Sequence, residues 1–222
     1  SGTPIRKAEA AYSTHSPLPS WSEQDPKLWI DALDHIIDEL RATEPRFSHL
    51  CGIGVAGHMH GATLLDDDGN VLRPCILWND TRAATEAAAL DQTAVFRSVS
   101  GNIVFPGFTA PKLSWVAKHE PKIFEKTAKV LLPAAYVNYY LTGTYIADLS
   151  DSAGTAWLDV HARDWSSELL SISGMQRSQM PNLVEGCDKA GVLRQDLKDK
   201  WGLKNDIIIA GGAGDNAAAA CG

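Results

Sequence analysis

The sequence predicts an α/β domain. Three features carry that prediction: a helix with one apolar face over residues 26–40, a β-branched run at Ile207-Ile208-Ile209 leading straight into a glycine-rich turn, and strand-like and helix-like segments mixed between them. Residues 4–13 read as a strand, and Pro17 and Pro19 then mark a loop. Asp25-Pro26 opens the first helix, with Asp25 as N-cap and Pro26 at the first helical position. Trp29, Ala32, Leu33, Ile36, Ile37 and Leu40 recur at helical spacing and form its single apolar face. Residues 50–56 read as a short buried strand, and 63–65 and 71–78 as hairpin arms around Asp68-Gly69. A second helix starts near Asp80 or Thr81 and runs to Leu90. A mostly helical block continues to about Leu141, broken at Pro106, Pro111, Pro121 and Pro133. It reads as an insertion lying against the sheet. Residues 145–160 alternate weakly, as a strand does. Short helices follow through Met180 and again over 193–201, and 205–210 form the last strand.

The chain has 222 residues, one and a half domains at ~150 residues each. With 45% hydrophobic and 21% charged residues it is an ordinary globular composition, which excludes disorder as the main state. No apolar run nears the ~20 residues of a membrane helix, and no secretory signal is visible at the N-terminus. The net charge of −7 argues against nucleic acid as a partner, because such proteins neutralise phosphates with clustered Lys and Arg. The four cysteines, Cys51, Cys75, Cys187 and Cys221, form no CxxC pair and read as reduced core thiols of a cytoplasmic protein.

Two glycine-rich stretches resemble dinucleotide motifs. Gly52-x-Gly54-x-x-Gly57 fails on context, because His58-Met59-His60-Gly61 and a hairpin follow where a helix is required. Gly212-x-Gly214-x-x-Ala217 has strand–turn–helix context, but Asp215 in the turn would repel a pyrophosphate. Asp215 is then either the working group at a strand end or a cap on the next helix. No Gly-x-x-x-x-Gly-Lys-Ser/Thr is present. On a strand His58 and His60 would share a face, a spacing able to chelate zinc, but nothing nominates a third ligand and no metal site is assigned. Asp66-x-Asp68-x-Asn70 begins like a calcium loop and fails at Val71 and Leu77, leaving an acidic turn. The seven tryptophans are dispersed and mostly core; Trp78, beside Asp80 and Arg82, either lines a pocket with them or joins local pairs at a helix start. A Gly-x-Ser-x-Gly elbow is absent, which removes the usual serine hydrolase.

Taken in order, several blocks resemble the FGGY family of sugar kinases, in its bacterial xylulose-phosphorylating branch. They are 52–61 ending His58-Met59-His60-Gly61, Arg73-Pro74 through Thr81-Arg82, Gly107-x-Thr109-x-x-Lys112-Leu113-x-Trp115, Asp148-x-Ser150-Asp151-Ser152-Ala153-Gly154-Thr155, and Gly211 to Ala217. Even Trp21 to Pro26 is of the family type, so the resemblance covers nearly the whole chain. It implies two actin-like, ribonuclease-H-like domains about a cleft, with the sugar mainly on the first and ATP with Mg²⁺ mainly on the second. The implied reaction moves the γ-phosphoryl of ATP to the terminal hydroxyl of D-xylulose. Asp215 would be the general base, and Met59, His60 and Asn216 would contact the sugar. Sugar and ATP are the implied partners, with a homodimer as the macromolecular association left open.

His58 stands where the family usually has Gln, Thr81 where it has Gly, Ala134-Ala135 where it has Lys-Asp, and Ala219 where it has Gly. On this resemblance residues 1–222 are the N-terminal, sugar-binding FGGY domain. Its first strand and phosphate turn are expected before residue 1 and an ATP-binding domain after 222, so that the chain alone is inactive. Two other readings stand beside this one: an FGGY kinase for another pentulose or polyol, and a non-catalytic sugar-binding module.

Overall fold

The computed structural model describes residues 3–221. Its organising sheet is mixed. Strand Lys189–Val192 runs antiparallel to Ile208–Ala210, which runs parallel to Gly52–Ile53. A step further on, Ala213–Gly214 pairs in parallel with Ala56–Gly57. Two chain segments, from 52 and from 208, therefore run side by side in the same direction, each as two short strands in series. The expected 50–56 strand is thus interrupted between Ile53 and Ala56.

Helix Pro26–Thr43 covers one face of this sheet. Asp25 caps it by accepting from the Lys27 amide at 2.9 Å, and Pro26 occupies its first turn, where no intrahelical N–H bond is lost. Its Ile37 joins Phe47, Leu141, Leu193, Trp201, Ile207 and Ile209 in one core, with Leu33, Leu40 and Ile53 packed on its border. A second core lies within the helical block and the segments behind it, where Phe96, Leu113, Val116, Trp157, Leu169 and Leu170 are buried together. Five of the seven tryptophans are buried.

Several sequence expectations are corrected. Residues 4–13 make no ladder; pairing begins only at His15, bridged to Glu23. That segment pairs with no strand among the described residues, and Ile5 and Tyr12 stay exposed. The second helix starts at Ala84, not at Asp80 or Thr81, because the Asp80 carboxylate accepts from the Arg82 amide at 2.9 Å and turns the chain first. Pro111 breaks nothing: it is the third residue of helix Thr109–His119, in the turn whose N–H groups have no intrahelical acceptor. Pro121 and Pro133 do open helices, Pro121–Lys126 and Pro133–Thr142. The block also hides a strand, Lys129–Leu131, antiparallel to Thr63–Leu65. Residues 145–160 divide into strand Ile146–Asp148, helix Leu149–Ser152, a 3₁₀ turn Ala153–Thr155 and strand Leu158–Asp159. Of the four unpaired thiols only Cys75 is a core thiol, and burial pushes it up to about 11; Cys51, Cys187 and Cys221 are exposed.

The Asp66–Asn70 turn spends its acid internally. Asp66 Oδ1 accepts from the amides of Asp68 and Asn70 at 3.0 and 2.8 Å. Among the described residues no helix is long and apolar enough to cross a membrane.

Candidate active site

The parallel register decides where the chemistry gathers. Gly57 pairs with Gly214, so His58-Met59-His60 and Asp215-Asn216 leave the sheet together at the C-terminal ends of parallel strands. That end of an α/β sheet is where ligands bind. A third element closes against the pair: helix Leu149–Ser152 and the turn Ala153–Thr155 pack against strand Ala213–Gly214 and against His60.

The turn before Asp215 is tightly anchored. Gly211 N donates to Asp188 O at 2.9 Å, Gly212 N to Gly186 O at 3.0 Å and Ala213 N to Val55 O at 3.1 Å. Asn138 Nδ2 donates to Gly211 O at 2.8 Å from helix Pro133–Thr142. Gly212 has φ +89°, and a Cβ there would collide with the Val55 carbonyl, so the position requires glycine. Because these amides are already bonded, the turn is no phosphate cradle, and the dinucleotide reading of Gly212-x-Gly214 fails. Asp215 opens helix Asp215–Cys221 with its side chain exposed; Oδ1 accepts from the Asn216 amide at 2.9 Å, and Asn216 is exposed beside it.

The two histidines do not share a face. His60 adopts φ +65°, which breaks strand alternation after Gly57. His58 packs edge-on against Trp29, ring centroids 5.4 Å apart, with both ring nitrogens buried and unpartnered. His60 instead lies against Phe108 at 4.7 Å, with Nδ1 2.7 Å from Gly154 O. Burial pushes both rings below the ordinary histidine range, and the Lys112 charge pushes the same way. Met59 points at the turn before Asp215: a Cβ on Gly214 would lie 2.7 Å from Met59 Cγ and 2.9 Å from Asp151 Oδ1.

Of the two readings of Trp78, Asp80 and Arg82, a pocket or local pairs at a helix start, Asp80 and Arg82 follow the second. Asp80 is buried; its Oδ2 accepts from Ser22 N at 2.6 Å and from Arg82 Nη2 at 2.6 Å. Arg82 also lies 2.8 Å from Glu23 Oε1, with its guanidinium 3.6 Å over Trp21. This cluster pins the Trp21–Gln24 segment to the start of the second helix. Trp78 is 57% exposed beside it.

Two buried ionisable groups were not singled out from the sequence. Asp151 has both oxygens buried and unpartnered, and burial, with Asp148 and Asp215 nearby, pushes it up to about 8. Lys112 is buried on helix Thr109–His119, and desolvation brings it down to about 7. A signal for Lys112 existed: with Thr109, Leu113 and Val116 it holds an apolar-face position of its helix, where a lysine needs a partner. An apolar groove of about 850 Å³ between helix Pro26–Thr43 and strand Gly52–Ile53 contains none of Met59, His60 or Asp215.

The N-terminal domain of the FGGY family of carbohydrate kinases matches residues 1–222. The chain belongs to this family. A xylulose kinase of Klebsiella pneumoniae is 48% identical over 207 residues, 93% of this chain and 42% of its own length. The crystal structure of a xyloylose kinase from Brucella ovis superposes with TM-score 0.93 at 58% identity, over 94% of this chain and 43% of that one. Plasmodium falciparum glycerol kinase with ADP shares the fold, at TM-score 0.87 and 19% identity. The fold is thus the actin-like, ribonuclease-H-like α/β fold of FGGY kinases. The chain spans less than half the length of these relatives, 42% of the first.

Proposed function

We propose that this chain is the sugar-holding domain of an ATP-dependent xylulose kinase, whose complete form transfers the γ-phosphoryl of ATP to the terminal hydroxyl of D-xylulose. The observation that supports this most is the meeting of Asp215 with Met59 and His60 at one end of paired parallel strands. The choice of substrate is supported by the names of the relatives, a xylulose kinase and a xyloylose kinase.

Phosphoryl transfer leaves the protein mainly positioning and charge placement. Asp215, exposed on a turn with bonded amides, is placed to orient the attacking hydroxyl and accept its proton as the new O–P bond forms. Met59 supplies an apolar wall, while His60 and Asn216 supply hydrogen bonds to the remaining hydroxyls. ATP and Mg²⁺ do not fit the residues here. The glycine-turn amides are taken, and among the described residues no three His, Cys, Asp or Glu side chains gather as metal ligands. We place both on the part of the protein that the relatives possess beyond the matched span, and the reaction in the cytoplasm, where ATP and free thiols coexist.

Supplied with that part, the protein is expected to form ADP only when both MgATP and D-xylulose are present. A second reading, the same chemistry on another pentulose or a polyol, is favoured by His58, whose buried ring replaces the usual Gln. A panel of ketopentoses and polyols decides: kcat/KM highest for D-xylulose supports the proposal, and a better substrate in the panel replaces it. Sugar binding with no ADP from any sugar would instead identify a non-catalytic binding module.

A further inference from the structure

His60 is held at three points. Its backbone has φ +65°, a left-handed conformation that is strained for a non-glycine residue and persists only where neighbours impose it. Its carbonyl accepts from Lys112 Nζ at 2.7 Å and Thr109 Oγ1 at 3.2 Å, both from helix Thr109–His119. Its ring lies against Phe108, and Nδ1 is 2.7 Å from the Gly154 carbonyl. A carbonyl can only accept, so Nδ1 carries the proton and donates. In the neutral ring Nε2 is then a bare lone pair, and it has no protein partner among the described residues.

We infer that Lys112 is a positioning residue for the proposed sugar site: it clamps the His60 main chain so that Nε2 is presented as a hydrogen-bond acceptor for a sugar hydroxyl. This rests on the sugar-kinase reading above. The lysine does more than fill space. It is wholly buried, and its hydrogen bond ends on the one carbonyl whose position fixes the His60 turn. Its charge also opposes protonation of His60, as does burial, while Asp215 and the Gly154 carbonyl favour it. Protonation would turn Nε2 from acceptor to donor and reverse the hydrogen bond the site offers.

The test is Lys112→Met in the complete protein, which keeps the volume and removes donor and charge. The expected result is a D-xylulose KM raised about tenfold, with kcat and the KM for ATP nearly unchanged. The acidic limb of kcat/KM for the sugar should also move to higher pH, because His60 then protonates more readily. An unchanged sugar KM with an unmoved acidic limb overturns the inference. Nitrogen NMR of His60 in wild type and in Lys112→Met tests it without turnover. Neutral His60 protonated on Nδ1 in wild type, with ring shifts displaced in folded Lys112→Met, supports the inference; ring shifts identical in the two proteins overturn it, and protonation on Nε2 in wild type overturns it whether or not the variant folds. Absence of any D-xylulose phosphorylation by wild type counts against the kinase reading, and the NMR result still decides the role of the His60 clamp.

Discussion

At the residue scale, Asp151 is the least comfortable group in the domain. It lies buried under Gly214 with neither oxygen partnered, and burial with Asp148 and Asp215 nearby lifts it to about 8. The folded state therefore keeps a proton that the unfolded chain releases near the ordinary value of 3.8. Stability from this group is complete below that value and is lost as pH rises toward 8. Asp151→Asn removes the loss. Its stability relative to wild type should rise between pH 5 and pH 8 by more than about 1 kcal/mol, read as the difference in unfolding free energy at the two pH values. A constant difference would show that Asp151 is ionised throughout. His58 and His60 work in the opposite direction: both rings are held neutral, so their contribution is present above the ordinary histidine value of 6.5 and fades on acidification.

At the element scale, the Gly211–Gly214 turn has the clearest consequence. Its amides are bonded to two separate segments, one at Gly186 and Asp188 and the other at Val55, and its register brings Gly214 beside Gly57. Gly212→Ala puts a side chain at φ +89° against a backbone carbonyl that cannot move without breaking the sheet. We expect a loss of about 2 kcal/mol or more, read as a lowered denaturant midpoint; an unchanged midpoint would mean that the turn is loose. Elements with strong local signals were legible in the sequence. The Asp25-Pro26 start and its apolar stripe gave helix Pro26–Thr43, and the Asp66–Asn70 turn was read as an acidic turn. Elements defined by distant partners were not. Residues 4–13 have strand-like composition but pair with no strand among the described residues, whereas Lys129–Leu131, lost among helices, has a partner in Thr63–Leu65.

At the scale of the whole molecule, two segments distant in sequence, 52–60 and 208–216, make the site because a parallel register aligns their ends. The motifs on each were visible in the sequence, as were Asp215, Met59 and His60 as candidates. Their meeting was expected through family resemblance; the left-handed turn at His60, which separates it from His58, was hidden, because contacts with residues distant in sequence, Thr109, Lys112 and Gly154 among them, hold it. Likewise Asp80 and Arg82 looked polar enough for a pocket, and only their pairing with Ser22 and Glu23 reveals a structural pin. The central claim is that Asp215 is the general base of a D-xylulose kinase. It is tested most directly by Asp215→Asn in the complete protein, with single-turnover phosphorylation and sugar binding measured together. The account predicts that kcat falls by about 10²–10⁴-fold while D-xylulose still binds. A kcat close to that of wild type would contradict it.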